Sequence, residues 1–169
     1  MIGLSYKYKV SLVPTEGVLY FHPMEKFDDH YFMKQALLEA QKAYDADEVP
    51  VGAVVVIDNK IIARAHNLTE RLNDVTAHAE MQAITAAANF LNGKYLIGCS
   101  LYVTLEPCVM CMGAIYWSQL SKVVFGARDK KRGYQQAQLK PHPKATVLEG
   151  IMADEAANLI QGFFQKKRP

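Results

Sequence analysis

Two short runs constrain this chain more than anything else in it: Thr76-Ala77-His78-Ala79-Glu80 and Leu105-Glu106-Pro107-Cys108-Val109-Met110-Cys111. They supply a histidine, a glutamate two residues later and a C-x-x-C pair, with residues 81–107 between the two halves. One imidazole and two thiolates are three good zinc ligands, one short of the four that close a structural site. Zinc on three protein ligands keeps a position open for water and brings the pKa of that water to about 7. Glu80 is the natural proton carrier beside it. The pattern points to a hydrolytic centre in which His78, Cys108 and Cys111 hold Zn2+, and the fold must bring two distant segments to one point.

Local propensities agree. Thr76 is a good N-cap, and the run from Ala77 to Phe90 is rich in helix formers. His78 and Glu80 are then expected in the first turn, near the positive end of the helix dipole and its unpaired N–H groups. Pro107 suits the first position of a second helix, from Cys108 to about Ser118. On that helix Cys108 and Cys111 share a face, and a helix N-terminus favours the thiolate that a metal needs.

The rest of the chain is consistent with one domain carrying a sizeable core: 169 residues, half of them hydrophobic. A net charge of +2 is too small to argue for nucleic acid by itself. Three cysteines, two of them in the proposed centre, argue against a disulfide framework and suit a reducing cytoplasm. No apolar run approaches the ~20 residues that span a bilayer, so no membrane association is expected. Residues 1–24 differ in character from the remainder of the chain. They are expected to be an N-terminal extension, an appended segment or an upstream start, with Met24 as the natural beginning and residues 25–169 as the domain. The alternative is an extra strand, Gly17 to Phe21, on a sheet edge.

A helix is predicted from Asp28 or Asp29 to Asp45, with Phe32, Met33, Ala36, Leu37, Ala40 and Tyr44 as its apolar stripe. Val51 to Ile57 reads as a strand buried on both faces. Asp58-Asn59-Lys60 is a turn, and Ile61 to His66 is the returning strand of a hairpin. Asn67 to Val75 is a polar loop, and Asn92-Gly93 ends the His78 helix. Strands are expected next at Ser100–Leu105 and Lys122–Ala127, a short fifth at Thr146–Leu148, and a last helix at about Asp154–Lys166. This order implies an α/β protein with a single sheet covered by helices on both sides.

With these motifs in view, the sequence resembles the zinc nucleoside and nucleobase deaminase superfamily. More narrowly it is similar to bacterial tRNA-specific adenosine deaminases of the TadA type, over roughly Glu25 to Arg168. The motifs that carry the likeness are Val49-Pro50-Val51-Gly52-Ala53, the two metal-ligand runs and Val124-Phe125-Gly126-Ala127-Arg128-Asp129. The signature H-x-E…P-C-x-x-C belongs to zinc deaminases that act on bases taken out of their stack. The resemblance implies a three-layer α-β-α cytidine-deaminase-like fold with a central mixed sheet of about five strands. It implies adenosine-to-inosine conversion at the wobble position of a tRNA anticodon stem-loop, by a homodimer. Glu80 would shuttle the proton and the Ala79 N–H would help hold the attacking oxygen. Asn67 would contact base and ribose, and Asp129 the neighbouring sugars. Arg128, Lys130, Lys131 and Arg132 are candidate phosphate contacts. After Asp129, where the family usually carries a small Gly/Ala/Ser-rich loop, this chain has Lys131-Arg132-Gly133-Tyr134-Gln135-Gln136.

Plainer readings stand beside these. A C-x-x-C alone is often a redox or structural-metal motif, but redox use does not call for H-x-E upstream. His66 and Cys99 are the nearest candidates for a fourth ligand, although Cys99 reads better as a small core residue. Asn67 would pass for a turn cap, and the basic run 128–132 for a solvated loop. Tyr116 and Trp117 read as core or interface aromatics; Met110, Met112 and Ile115 are compatible with a subunit interface. Gly113-Ala114-Ile115-Tyr116-Trp117-Ser118 is similar to guanine deaminases, which keeps a free-base substrate open. A non-enzyme, zinc-stabilised RNA-binding protein is the third reading, and Glu80 speaks against it.

Overall fold

The computed structural model describes residues 8–12, 19–23 and 27–168. Two strands, β1 (Tyr8–Leu12) and β2 (Leu19–Pro23), pair antiparallel in a sheet of their own. A strand therefore does exist over part of Gly17–Phe21, but it joins β1 and not the edge of the main sheet. Met24 lies outside the described residues.

The domain is built on five strands: β3 (Gly52–Ile57), β4 (Lys60–His66), β5 (Ser100–Leu105), β6 (Lys122–Ala127) and β7 (Thr146–Glu149). Their order is β4-β3-β5-β6-β7, antiparallel from β4 to β5 and parallel from β5 to β7. Four helices cover it: α1 (Asp29–Asp45), α2 (Ala79–Phe90), α3 (Val109–Trp117) and α4 (Ala153–Lys167). The strand side chains alternate between two cores, as the two-residue period requires. Ala53, Val55, Leu101, Val103, Val123 and Phe125 face Ala83, Met112 and Ile115 of α2 and α3. Val54, Val56, Tyr102 and Val124 face Phe32, Met33 and Ala36 of α1. The sheet is buried on both sides, as its continuous apolar strands foretell.

Small residues set the spacing. A Cβ on Gly52 would run into the backbone of α1 at Ala36 and Ala40, so the helix lies directly on β3 there. The N-terminus of α1 is fixed twice. Asp28 caps it, accepting from Tyr31 N at 2.8 Å. Asp29 Oδ1 accepts from Tyr102 Oη at 2.7 Å and Lys122 Nζ at 2.6 Å, joining the helix to β5 and β6. The β3–β4 hairpin turns on Asp58 and Asn59, both at positive φ (49° and 62°), the two-residue geometry that matches strand twist.

Several boundaries differ from expectation. Thr76 does not cap α2; it bonds back to Asp74, and His78 is the N-cap. Pro107 precedes α3 and does not start it, because Cys108 holds the N-cap position. Tyr116 and Trp117 are exposed, Trp117 at 77 %, so neither is a core residue. Met112 and Ile115 are fully buried beneath α3 and unavailable to another subunit. No helix among the described residues is long and apolar enough to cross a membrane.

Candidate active site

The β5–α3–β6 crossover makes the site. β5 runs out at Leu105, the chain turns through Glu106-Pro107, and Cys108 opens α3 at the carboxyl end of the parallel strands, where open α/β sheets place their ligands. α2 starts at the same level with His78. Both N-cap residues have extended backbone (ψ 154° and 176°), and neither side chain caps its own helix. They turn toward one another instead. His78 Nδ1 lies 3.7 Å from Cys108 Sγ and 3.5 Å from Cys111 Sγ, and the three ligand atoms fall within 4.8 Å of one another.

These distances fit zinc. Legs of about 2.1 Å to nitrogen and 2.3 Å to sulfur at a tetrahedral angle separate N and S by about 3.6 Å. The donor set, one imidazole and two sulfurs, suits zinc as well. His66 and Cys99 are elsewhere: His66 Nδ1 faces Glu39 Oε2 at 3.6 Å, and Cys99 is buried in the core under α2 and α3. Among the described residues the group thus offers three candidate protein ligands.

The charges interlock. The hydrogen bond with Cys111 is the main force pulling the Cys108 thiol down to about 4; burial opposes it, and His78 helps. The Cys111 thiol is raised for the reciprocal reason: its proton is shared with Cys108, and burial adds to the penalty. The pair gives up one proton readily and keeps the second until a cation compensates the charge. His78 is raised, mainly by its hydrogen bond with Cys108. Glu80 is 4 % exposed, and burial pushes its carboxyl up to about 7.

A cavity of about 900 Å³ opens above this cluster. His78, Glu80 and Cys108 form its polar floor, with Val49, Val51 and Leu105 as apolar wall. Asn67 and Asp129 also line it, with Arg128, Lys131 and Arg132 close to Asp129 in the chain. Lys130 is exposed and does not line the cavity. Arg128 is partly committed, to Glu106 at 3.6 Å and Glu149 at 3.4 Å. Ala79 is buried at the first position of α2, where a backbone N–H has no partner within its helix.

Three contributors escape sequence reading. Ile160 and Phe164 of α4 and Arg168, its C-cap, line one side of the cavity. Glu106 is 3 % exposed and accepts from Asp129 N and Gln135 N at 3.1 Å each, pinning the basic rim. Gly133 has no room for a Cβ because Glu106 fills the space. Glu48 does for the Asn67 loop what Glu106 does for the other. Neither glutamate carries a local signal of its burial; Glu48 follows Asp45-Ala46-Asp47 in a polar stretch.

Comparison with known proteins agrees with this geometry. The sequence model of the cytidine and deoxycytidylate deaminase zinc-binding region matches residues 26–127. The chain belongs to this zinc-binding deaminase family. Among family members, the tRNA-specific adenosine deaminase of Aquifex aeolicus is 47 % identical over 143 residues, covering 82 % of this chain and 95 % of that protein. A solved structure from work on A-to-I editing by tRNA:A34 deaminases at the wobble position is 42 % identical. It superposes with a TM-score of 0.70 over 76 % of this chain and 98 % of the other. A guanine deaminase structure from Bacillus subtilis is 34 % identical, with a TM-score of 0.61 over 72 % of this chain and 83 % of the other. The three-layer deaminase fold with its mixed five-stranded sheet is therefore shared, and the chain is a deaminase whose His78, Cys108 and Cys111 are placed to bind zinc.

Proposed function

We propose that this deaminase converts adenosine to inosine at the wobble position of a tRNA anticodon stem-loop. The observation that carries the reading is Glu80, buried on the cavity floor beside the His78–Cys108–Cys111 group. A structural metal needs no such carboxyl. His78, Cys108 and Cys111 would hold zinc, which when bound would supply Lewis-acid activation of water.

The residues of the chain do the rest. Glu80 takes a proton from the attacking water, delivers it to the purine ring nitrogen and later passes a proton to the departing ammonia. Water adds at C6 and ammonia leaves, so adenosine plus water becomes inosine plus ammonia. The Ala79 N–H steadies the attacking oxygen. Asn67 contacts base and ribose, and Asp129 the neighbouring sugars. Arg128, Lys131 and Arg132 are suited to the phosphates of a loop whose base has left its stack. The identity to tRNA-specific adenosine deaminases across most of both chains supports this substrate.

The reading includes a homodimer in the cytoplasm. Phe90 and Leu91 at the end of α2, with Tyr116 and Trp117 at the end of α3, form exposed apolar surface of the kind subunits cover. A free-base substrate is the second reading, favoured by the 34 % identity to a guanine deaminase. An assay of an anticodon stem-loop bearing a wobble adenosine against free guanine separates the two. Inosine in the RNA, absent with Glu80→Ala, is the expected result; ammonia from guanine alone overturns it.

A further inference from the structure

Glu48 is one of the most enclosed charged side chains in the molecule, 1 % exposed, and it plays no part in the chemistry above. It sits between the end of α1 and β3, and its carboxylate is met by donors only. Oε2 accepts from Asn67 Nδ2 at 3.0 Å, from Thr69 Oγ1 at 3.3 Å and from Glu70 N at 3.2 Å; Oε1 accepts from Arg71 N at 2.7 Å. Thr69 Oγ1, its proton directed at Glu48, in turn accepts from Asn67 Nδ2 at 2.9 Å. Three of the residues so held (Asn67, Thr69 and Glu70) line the cavity.

A carboxylate offers lone pairs and no proton, so the Asn67 amide can meet it only with its NH2 end. Were the amide turned over, Oδ1 would face Glu48 Oε2, two acceptors at hydrogen-bonding distance. We infer that Glu48 is the positioning residue of the substrate pocket, locking the orientation of the Asn67 amide and fixing the rim loop from Asn67 to Arg71 through one buried carboxylate. Val49-Pro50-Val51, immediately after it, then carries the pocket's apolar wall at a fixed distance from the anchor. This inference rests on the proposed reading only in supposing that Asn67 touches the substrate.

Glu48→Met removes the constraint with a modest change of shape, since it takes away both acceptor oxygens, including Oε2, on which Asn67 Nδ2, Thr69 Oγ1 and Glu70 N converge. Asn67 binds substrate in ground and transition state alike, so losing its orientation raises KM and leaves kcat nearly unchanged. The expected rise is about tenfold for the stem-loop, the effect of one misplaced hydrogen bond. In an Asn67→Ala background the same substitution changes KM by less than about twofold, because the two act as one unit. Thr69→Val, at a partly buried position of the rim loop and close to the native shape, gives a smaller KM rise that also vanishes with Asn67→Ala. A substrate-free readout keeps the question separate from the choice of substrate. In 15N-correlated spectra the Asn67 side-chain NH2 pair is resolved and slow to exchange in the native protein, and loses both features in Glu48→Met or, in part, in Thr69→Val. If the wild type deaminates no RNA, the proposed substrate falls and the NH2 signals still decide the inference. Unperturbed NH2 signals in the variants, or KM factors that multiply independently of Asn67, overturn it.

Discussion

Cys108 Sγ lies 3.7 Å from His78 Nδ1 although each residue is the N-cap of a different helix. An N-cap side chain ordinarily accepts a bond from its own helix, worth about 1 kcal/mol. Here both decline it and face a common point, so the metal group is built at the expense of two caps.

That trade can be measured. Cys108→Ser places a good cap at the start of α3 and removes a zinc ligand. Without metal, the variant is expected to be as stable as the native chain or more so, by up to about 1 kcal/mol. With zinc present, the order reverses, because only the native chain gains binding energy. Urea midpoints with chelator and with zinc, alongside metal content, test this; a variant less stable in chelator refutes the capping argument.

Zinc uptake should release protons. Cys111 is held protonated by its bond to Cys108 and by burial, and a metal ligand must be thiolate. Calorimetry in two buffers of different ionisation enthalpy is expected to show at least about one proton released per zinc at pH 7, and affinity that weakens as pH falls. Heats independent of buffer would contradict it.

Removing the carboxyl of Glu80 should separate chemistry from assembly. Glu80→Gln is expected to retain zinc and thermal stability while losing about 10²- to 10⁴-fold in kcat, the range for a general acid–base. Loss of zinc in the variant, or retained activity, would place the proton transfer elsewhere.

The Asp29 bracket gives a pH dependence. Burial pushes the Asp29 carboxyl up, but hydrogen bonds from Lys122 and Tyr102 and the Lys122 charge outweigh it, leaving it below 3.8. The unfolded chain then binds the proton more readily, so this contribution is present above about pH 4 and lost as pH falls through the lowered folded value. Lys122→Met is expected to cost about 0.5 to 1 kcal/mol at pH 7, the scale for a pair that water still reaches. Midpoints of variant and native chain should converge in acid; a constant gap would refute the assignment.

Asn92 offers a stabilising change. It comes just after α2 at φ 50°, with Asn92 N bonded to Asn89 O at 3.1 Å and Gly93 N to Ala88 O at 3.0 Å, the paired bonds of a Schellman ending. Glycine adopts this backbone without strain, so Asn92→Gly should add about 0.5 kcal/mol, read as a higher urea midpoint with activity intact.

The strands were legible because apolar runs bounded by turn residues leave little freedom: Ser100–Leu105 and Lys122–Ala127 match to the residue. The Cys-x-x-Cys and His pattern was legible because ligand chemistry admits few residue types. Helix starts at the site were not. Thr76 and Pro107 are better N-terminal residues by propensity than His78 and Cys108, and propensity cannot know that a metal claims the cap. Glu48 and Glu106 were silent for another reason. A glutamate's burial depends on donors from distant loops, such as Arg71 N and Gln135 N, which no local window contains. α4 enters the cavity only because the sheet topology carries it back beside β6.

The far end of that helix sets the softest part of the cavity. Phe164 and Arg168 stand on or just past the last turn of α4, where carbonyls lack partners and the backbone frays. Lys167, bonded to Asp47, ties this end to the loop after α1. Local opening of a terminal turn needs far less free energy than unfolding the sheet. Amide exchange at the end of α4 is therefore expected to be faster than in the strands beneath the His78–Cys108–Cys111 group. A substrate that stacks on Phe164 would slow amide exchange at the end of α4 without touching the exchange of β5.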